Sequence, residues 1–172
     1  VFGSADLDYK DYLFLTLQAR NDWVSNLPKA NNSMFYPSAS VAFLPTSMDS
    51  DFKSENLSYL KLRAGYGTSA GFPTGYPTVN TVGQATNQNG GAAGGIITNA
   101  VSNFQANPDL KPELLGEFEL GFDATVWKGR VGINASYFER TSKDLIVFKP
   151  LPISTGYTST QDNIGKIEGK GI

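Results

Sequence analysis

Leu114-Leu115-Gly116-Glu117-Phe118-Glu119-Leu120-Gly121-Phe122-Asp123-Ala124-Thr125-Val126-Trp127-Lys128-Gly129-Arg130-Val131-Gly132-Ile133-Asn134-Ala135-Ser136-Tyr137-Phe138-Glu139-Arg140-Thr141 is two alternating runs joined by one tight turn, and it reads as a β-hairpin. In the first run Phe118, Leu120, Phe122, Ala124 and Val126 share a face, while Glu117, Glu119, Gly121, Asp123 and Thr125 share the other, as the two-residue strand period requires. In the second, Val131, Ile133, Ala135 and Tyr137 oppose Arg130, Gly132, Asn134, Ser136 and Arg140.

Parity constrains the turn. Apolar positions are even-numbered before Trp127 and odd-numbered after it, so opposed residues must have numbers summing to an odd total if the two apolar faces are to coincide. A loop of two residues, Lys128-Gly129, or of four, residues 127–130, meets this condition; a three-residue loop does not. Either even loop pairs Val126 with Val131, Ala124 with Ile133, Phe122 with Ala135 and Leu120 with Tyr137. It also sets Glu117 opposite Arg140, a pair of opposite charge.

Working outward, residues 1–7 read as a strand end and residues 12–23 as a full strand, with Leu13, Leu15, Leu17 and Ala19 against Thr16, Gln18, Arg20 and Asp22. Residues 35–43 alternate again, Pro37 being admissible near a strand start or at an edge. Residues 57–68 set Leu60, Leu62, Ala64 and Tyr66 against Tyr59, Lys61, Arg63, Gly65 and Gly67. Alternation resumes at residues 163–168. Lys61 and Arg63 are thus available to the acidic face of the next strand for a cross-strand ionic lattice. Two long interruptions remain, residues 69–112 and 142–161, the first holding the low-complexity run Asn89-Gly90-Gly91-Ala92-Ala93-Gly94-Gly95 and the second the patch Leu145-Ile146-Val147-Phe148-Lys149-Pro150-Leu151-Pro152. Unstructured loops beyond about 15 residues tend to be functional or mobile, which makes the first the place to look for recognition.

Composition narrows the function. Cysteine and histidine are absent, which removes disulfides, thiolate nucleophiles, His-dependent triads and nearly all zinc chemistry. The net charge is −2 with both signs scattered, unlike the basic footprint of a nucleic-acid binder. The chain opens on Val1 rather than Met and stops within an alternating run, so it reads as part of something longer. No signal peptide and no run of about 18 apolar residues is present. Barrel strands, however, hide apolar residues at every second position, so a mean hydropathy of −0.23 is compatible with a membrane wall.

Five clear strands and two truncated ones, with the full strands near the length of about 9–11 residues that a tilted strand needs to cross a bilayer, favour an all-β, antiparallel up-and-down transmembrane β-barrel segment of about seven strands. Short connections near Asp8, Pro45 and Lys128 alternate with longer ones after Trp23, Thr68 and Thr141. Tyr12, Trp23, Phe35, Tyr59, Tyr66, Trp127 and Tyr137 sit toward strand ends, where two interfacial girdles would fall. A soluble, carbohydrate-binding β-sandwich is the alternative, but sandwich strands average about 5–6 residues.

Asn107-Pro108-Asp109-Leu110-Lys111-Pro112-Glu113 resembles the segment by which TonB-dependent outer-membrane receptors re-enter the barrel after a long outer loop. The prolines hold the residues before them extended and feed the chain straight into the strand. Tyr12-Leu13-Phe14-Leu15-Thr16-Leu17-Gln18-Ala19-Arg20-Asn21-Asp22, Phe35-Tyr36-Pro37-Ser38-Ala39-Ser40, residues 57–67, 137–146, 150–152, 155–156 and 163–172 are similar, in order, to barrel segments of the SusC/RagA family. Asn21-Asp22-Trp23 stands where that family often has Asp-Gly-Ser, and Gly169-Lys170-Gly171 where it often has Asn-Lys-Gly.

The resemblance implies a TonB-driven importer of glycans or peptides in the outer membrane of a Gram-negative bacterium, working beneath a SusD-like surface lipoprotein. A TonB-dependent siderophore receptor is the narrower alternative. The 172 residues would supply about seven of the roughly 22 strands of such a plugged barrel, with plug and TonB contact outside this chain. Phe118, Leu120, Phe122, Val131, Ile133 and Tyr137 would face lipid; Arg20, Lys61, Arg63, Glu117, Glu119, Asp123, Asn134 and Arg140 would face the lumen; the turn at 127–130 would be periplasmic. In the first long loop, Tyr76, Asn80, Asn87, Gln88, Asn89, Phe104 and Gln105 are the candidates for substrate or lid contact, through amide hydrogen bonds and aromatic stacking.

No catalysis, metal or cofactor is expected. Glu117 and Glu119, about 7 Å apart along one strand face, have the residue types of a glycosidase pair, yet charges on a lumen wall explain them. Asp49, Asp51 and Glu55 lack the glycine and closing glutamate of a calcium loop. Gly90-Gly91 and Gly94-Gly95 lack the Gly-Lys-Ser/Thr of a phosphate loop.

Overall fold

The computed structural model describes residues 1–49, 52–87 and 96–172. Along the chain run β1 (Phe2–Tyr9), β2 (Leu13–Trp23), β3 (Ser33–Phe43), the short helix α1 (Pro45–Met48), β4 (Leu57–Gly71), β5 (Val82–Asn87), β6 (Ile96–Val101), β7 (Phe104–Gln105), β8 (Glu113–Val126), β9 (Val131–Lys143), β10 (Ile146–Pro150), β11 (Ser159–Asn163) and β12 (Lys166–Gly171). The main sheet has seven strands in the order β1-β2-β3-β4-β8-β9-β12, all neighbours antiparallel. It is an open up-and-down meander, and its strands are the five full and two partial ones that alternation marks in the sequence.

The central hairpin has the register that parity requires. Val126 pairs with Val131, Ala124 with Ile133, Phe122 with Ala135, Leu120 with Tyr137 and Glu117 with Arg140. The ladder closes at Val126 and Val131, leaving residues 127–130 outside it. Arg130 N–H donates to the Trp127 carbonyl at 3.2 Å, and Lys128 and Gly129, the two central residues, have φ of 57° and 82°. Positive φ at both centres belongs to the primed turns whose twist matches that of the strands.

Register carries the apolar face across the sheet: Leu15 meets Val41, Val41 meets Ala64, Ala64 meets Leu120 and Leu120 meets Tyr137. Several large side chains of this face are exposed. Leu120 is 45% exposed, Ile133 45% and Leu62 42%, while Lys61, Arg63, Glu117, Glu119 and Asp123 on the opposite face are half-buried. Among the described residues, the buried aliphatic side chains are Leu27, Leu110 and Ala124, and the first two lie in loops. A sandwich would cover the apolar face with a second sheet; no described element packs on it. No helix among the described residues is long and apolar enough to cross a membrane, which leaves crossing by strands open.

The connections at 10–12, 44–56 and 127–130 lie at one end of the sheet; the second, which holds α1, is longer than the connection 24–32 at the other end, so the expected alternation of short and long fails at that place. Residues 10–12 turn at the former end, with Lys10 and Asp11 at φ of 51° and 57°. Tyr12 belongs to that turn rather than to β2 and packs edge-on to Tyr9 and Phe43, at 5.5 and 6.3 Å between ring centroids. Trp127 is at the same end, and Trp23 and Phe35 at the other. Tyr66 and Tyr137 sit further inside their strands.

Two local devices seat the connection from β3 to β4. Pairing of β3 with β4 begins at Ser38, so Pro37 stands where β3 is an edge on that side, its carbonyl taken by the Thr68 hydroxyl at 2.9 Å. Thr46 of α1, 2% exposed, accepts the Leu60 amide at 3.2 Å beside a register shift between Leu57 and Tyr59. Replacing it with valine leaves that amide without a partner, and Thr46→Val is expected to destabilise this end by about 1–3 kcal/mol while Thr46→Ser does not. Urea titration of the full-length receptor reads the difference.

Candidate functional site

The polar face of the sheet brings the sequence-marked charges together. Arg20, Lys61, Arg63, Glu117, Glu119, Asp123, Asn134 and Arg140 all lie on it by register. The Arg140 guanidinium donates to Glu117 at 2.5 Å, and Asn134 donates its amide to Asp123. Toward the long-loop end, Arg20 donates to Asp22 at 2.9 Å, and the Tyr36 hydroxyl donates to the same carboxylate.

The expected ionic lattice is sparser than the residue types suggest. Lys61 stands opposite Asp123, yet among the described residues Lys61, Arg63 and Glu119 form no ion pair. Glycines explain the gap for Arg63 and Glu119, which face Gly121 and Gly65, while Asp123, opposite Lys61, accepts from Asn134 instead. Arg63 lies flat over Gly121, where a Cβ would collide with the guanidinium, and its buried Nε has no partner among the described residues. The face is therefore a shallow polar trough of about 410 Å³, floored by Ser38, Ser40, Gly65 and Gly67 and edged by Glu117 and Glu119.

The long connections are not structureless. Within residues 72–112, β5 pairs with β6 as an antiparallel hairpin, and β7 joins β11 and β10 in a second small sheet. β11 takes Asn163 from the tail strand expected at 163–168, and Gly165, at φ 119°, turns the chain into β12.

These pieces converge on residues 107–113. Leu110 is 0% exposed and Pro112 is buried. Around them four asparagine side chains bind backbone from other segments. Asn31 donates to the carbonyls of Asp109 and Leu110 at 3.3 and 3.2 Å, and Asn107 donates to that of Gln161 at 2.9 Å. Asn163 accepts the Lys111 amide at 2.8 Å and donates to the carbonyls of Lys111 and Asp144 at 2.9 and 2.8 Å. Asn26 donates to the Pro73 carbonyl. A carboxamide offers donor and acceptor together, so it satisfies backbone groups that no strand partner reaches. Glu113 completes the knot by accepting the Ile146 amide at 2.7 Å.

The candidate contact residues divide by their place on this platform. Asn80 is a brace: its Oδ1 accepts the Ala106 amide at 2.8 Å and its Nδ2 reaches the Tyr157 hydroxyl at 3.5 Å. Phe104 packs edge-on to Phe148, and Gln105 gives its carbonyl to Thr160 at 2.9 Å. Tyr76 is 61% exposed. Asn87 ends β5, while Gln88, Asn89, Asp51 and the four glycines at 90, 91, 94 and 95 lie outside the described residues. Tyr157 and the exposed Phe148 and Ile153 also belong to the second long loop; of these, only Phe148 lies in the apolar patch that the sequence marks. No group of acidic side chains among the described residues is arranged to hold a metal.

Comparison with known proteins agrees with this geometry. The family described as TonB dependent receptor-like, beta-barrel, matches residues 1–172. TonB-dependent receptor P26 of Formosa agariphila is 30% identical over 99% of the chain, and receptor P3 of that organism 29% over 99%; the chain spans 17% of the length of each. Among solved structures, the RagAB peptide importer superposes in its closed-closed state with a TM-score of 0.84 at 23% identity, and in its open-open state with 0.77 at 24%, the chain covering 18% of that protein. The family match runs from the first residue to the last and the fold agrees with it, so the chain belongs to the TonB-dependent receptors as a segment of their β-barrel.

Proposed function

We propose that the segment is barrel wall and extracellular surface of a SusC/RagA-type importer that carries glycans or peptides across the outer membrane. The observation that carries this reading is the burial of the sheet: large apolar side chains exposed with no second layer over them, Lys61, Arg63, Glu117, Glu119 and Asp123 half-buried on the opposite face, and the two longest connections, 72–112 and 144–165, at one end. In a bilayer the exposed stripe meets hydrocarbon, the trough with Arg63 and Glu119 lines the lumen toward a plug outside this chain, and the turn at 127–130 is periplasmic. The platform of β7, β10 and β11 then stands outside the cell, and the first long loop, with the candidates Tyr76, Asn80, Asn87, Gln88, Asn89, Phe104 and Gln105 in its sequence, serves substrate or a SusD-like lipoprotein lid. TonB engages a region beyond these residues.

The peptide cargo of RagAB favours oligopeptides over glycans. The test uses the full-length receptor: copurification with the lipoprotein encoded beside it, then uptake of labelled oligopeptides and oligosaccharides. Phe148→Ala combined with Tyr76→Ala is expected to weaken lipoprotein retention or uptake by about fivefold to tenfold, as loss of aromatic anchors at an interface does, with heat-modifiable gel mobility intact. No copurifying lipoprotein, with uptake of neither cargo, would overturn the reading.

A further inference from the structure

Two lysines face each other on the apolar side of the sheet. Lys143 of β9 and Lys166 of β12 are register partners, and the partner of Lys143 on β8 is Leu114, which places both on the face of Phe118 and Leu120. Like charges directly opposed across strands destabilise the pair unless something neutralises them. Lys166 has Glu168 beside it, whereas Lys143 has no carboxylate partner among the described residues.

Their height on the sheet is informative. From Val126 at the short-turn end to Leu114 is twelve residues along β8, a rise of about 31 Å at the usual strand tilt, against an apolar band of about 25 Å. The lysines therefore stand just above that band, level with lipid phosphates on the long-loop side. Lower on the same face, at the level of Phe118, Glu139 has its own cation: Lys170 donates to it at 2.7 Å and the Tyr137 hydroxyl at 2.5 Å.

The surface between the two lysines has room. Lys143 and Lys166 line a depression of about 290 Å³ whose walls include Tyr66, Leu114 and Phe118 and, on its far side, Glu139, whose charge is matched by Lys170. Below it on the same face, a second groove of about 590 Å³ is walled by Val41, Leu62, Leu120 and Phe122 over the small residues Ala64 and Ala135. Cationic head and apolar trough follow one another down the sheet, an arrangement complementary to a phosphate carrying an acyl chain.

We propose that Lys143 and Lys166 bind the phosphate of an acyl lipid in the leaflet on the long-loop side, with one chain laid along Phe118, Leu120 and Phe122. The assignment rests on the membrane-facing reading of this side of the sheet. The site explains why Lys143 stands on the outward face without a carboxylate partner among the described residues, and a bound anion offsets the repulsion that Glu168 leaves between the two lysines.

The experiment takes the full-length receptor, purified in detergent, delipidated and mixed with phosphatidic acid or neutral phosphatidylcholine, and counts retained lipid by native mass spectrometry. Wild type is expected to prefer phosphatidic acid. The double variant Lys143→Ala/Lys166→Ala is expected to lose about 25-fold of that affinity, since a lysine near a membrane surface contributes about fivefold. Lys128→Ala, at the other end of the strands, is expected to change nothing. Inorganic phosphate in excess is not expected to displace the lipid, because the acyl chain also holds it. Equal retention of phosphatidic acid by wild type and the double variant, or displacement by inorganic phosphate alone, would overturn the site while leaving the barrel reading intact. A receptor without heat-modifiable mobility in detergent would overturn both.

Discussion

Leu110→Ala is expected to loosen the loop platform without unfolding the barrel. Leu110 is 0% exposed at the point where residues 24–32, 107–113 and 161–163 meet. Truncating a fully enclosed leucine costs about 2–5 kcal/mol, the spread reflecting how far the site collapses into the void. Here collapse is limited, since Pro112 is buried nearby and the surrounding backbone is pinned by Asn31, Asn107 and Asn163. The strands do not depend on this residue, so the loss is local. Limited proteolysis of the full-length receptor should show faster cleavage within 72–112 and 144–163, with heat-modifiable mobility unchanged. Loss of the barrel itself would mean that the platform and the wall fold as one unit.

The second large effect is directional. Leu120→Arg places a cation midway up the apolar face, where an arginine at the bilayer midplane costs about 2–4 kcal/mol. Its neighbour Glu119 points to the other face, opposite Gly65, with no ion-pair partner among the described residues, so Glu119→Arg is expected to cost less than about 1 kcal/mol, the range of a solvated polar wall. Refolding of the two full-length variants into lipid vesicles, followed by urea titration, reads the difference. Equal costs at these adjacent positions would remove the distinction between a lipid face and a lumen face.

The hairpin was legible in the sequence because two strong constraints coincide there: side chains alternate every two residues, and a buried or lipid-facing stripe forbids a one-residue slip. Val126 against Val131 follows from parity alone, and so does Glu117 against Arg140. Lys61 and Asp123 show the limit of that reasoning, since register set them opposite each other while the ion pair did not form. Asp123 accepts from Asn134 instead, and glycines at 121 and 65 stand opposite Arg63 and Glu119; neighbour geometry of that kind is not encoded in alternation. The loops were less legible for a different reason. Asn31, Asn107 and Asn163 look like ordinary loop polarity in sequence, yet each satisfies backbone in a distant segment, as from Asn107 to Gln161 and from Asn31 to Leu110. Asn80, a candidate for ligand contact by its amide chemistry, also accepts the Ala106 amide, a local role that sequence polarity does not reveal. The Asn-Pro-Asp-Leu-Lys-Pro-Glu run, noticed as a strand entry, turns out to be the centre of the loop core as well.

Adjacent residues on opposite faces give the most direct test that the apolar face of the seven-stranded sheet meets lipid. The chain contains no cysteine, so single cysteines at Leu120, Phe122 and Ile133, and at Glu119, Asp123 and Asn134, can each carry a nitroxide in the full-length receptor in a bilayer. Labels at 120, 122 and 133 are expected to collide readily with dissolved oxygen and poorly with a water-soluble nickel complex. Labels at 119, 123 and 134 are expected to show the opposite preference, alternating residue by residue along β8. Equal accessibilities at neighbouring positions, or a reversed alternation with Asp123 in lipid and Phe122 in water, would contradict the account.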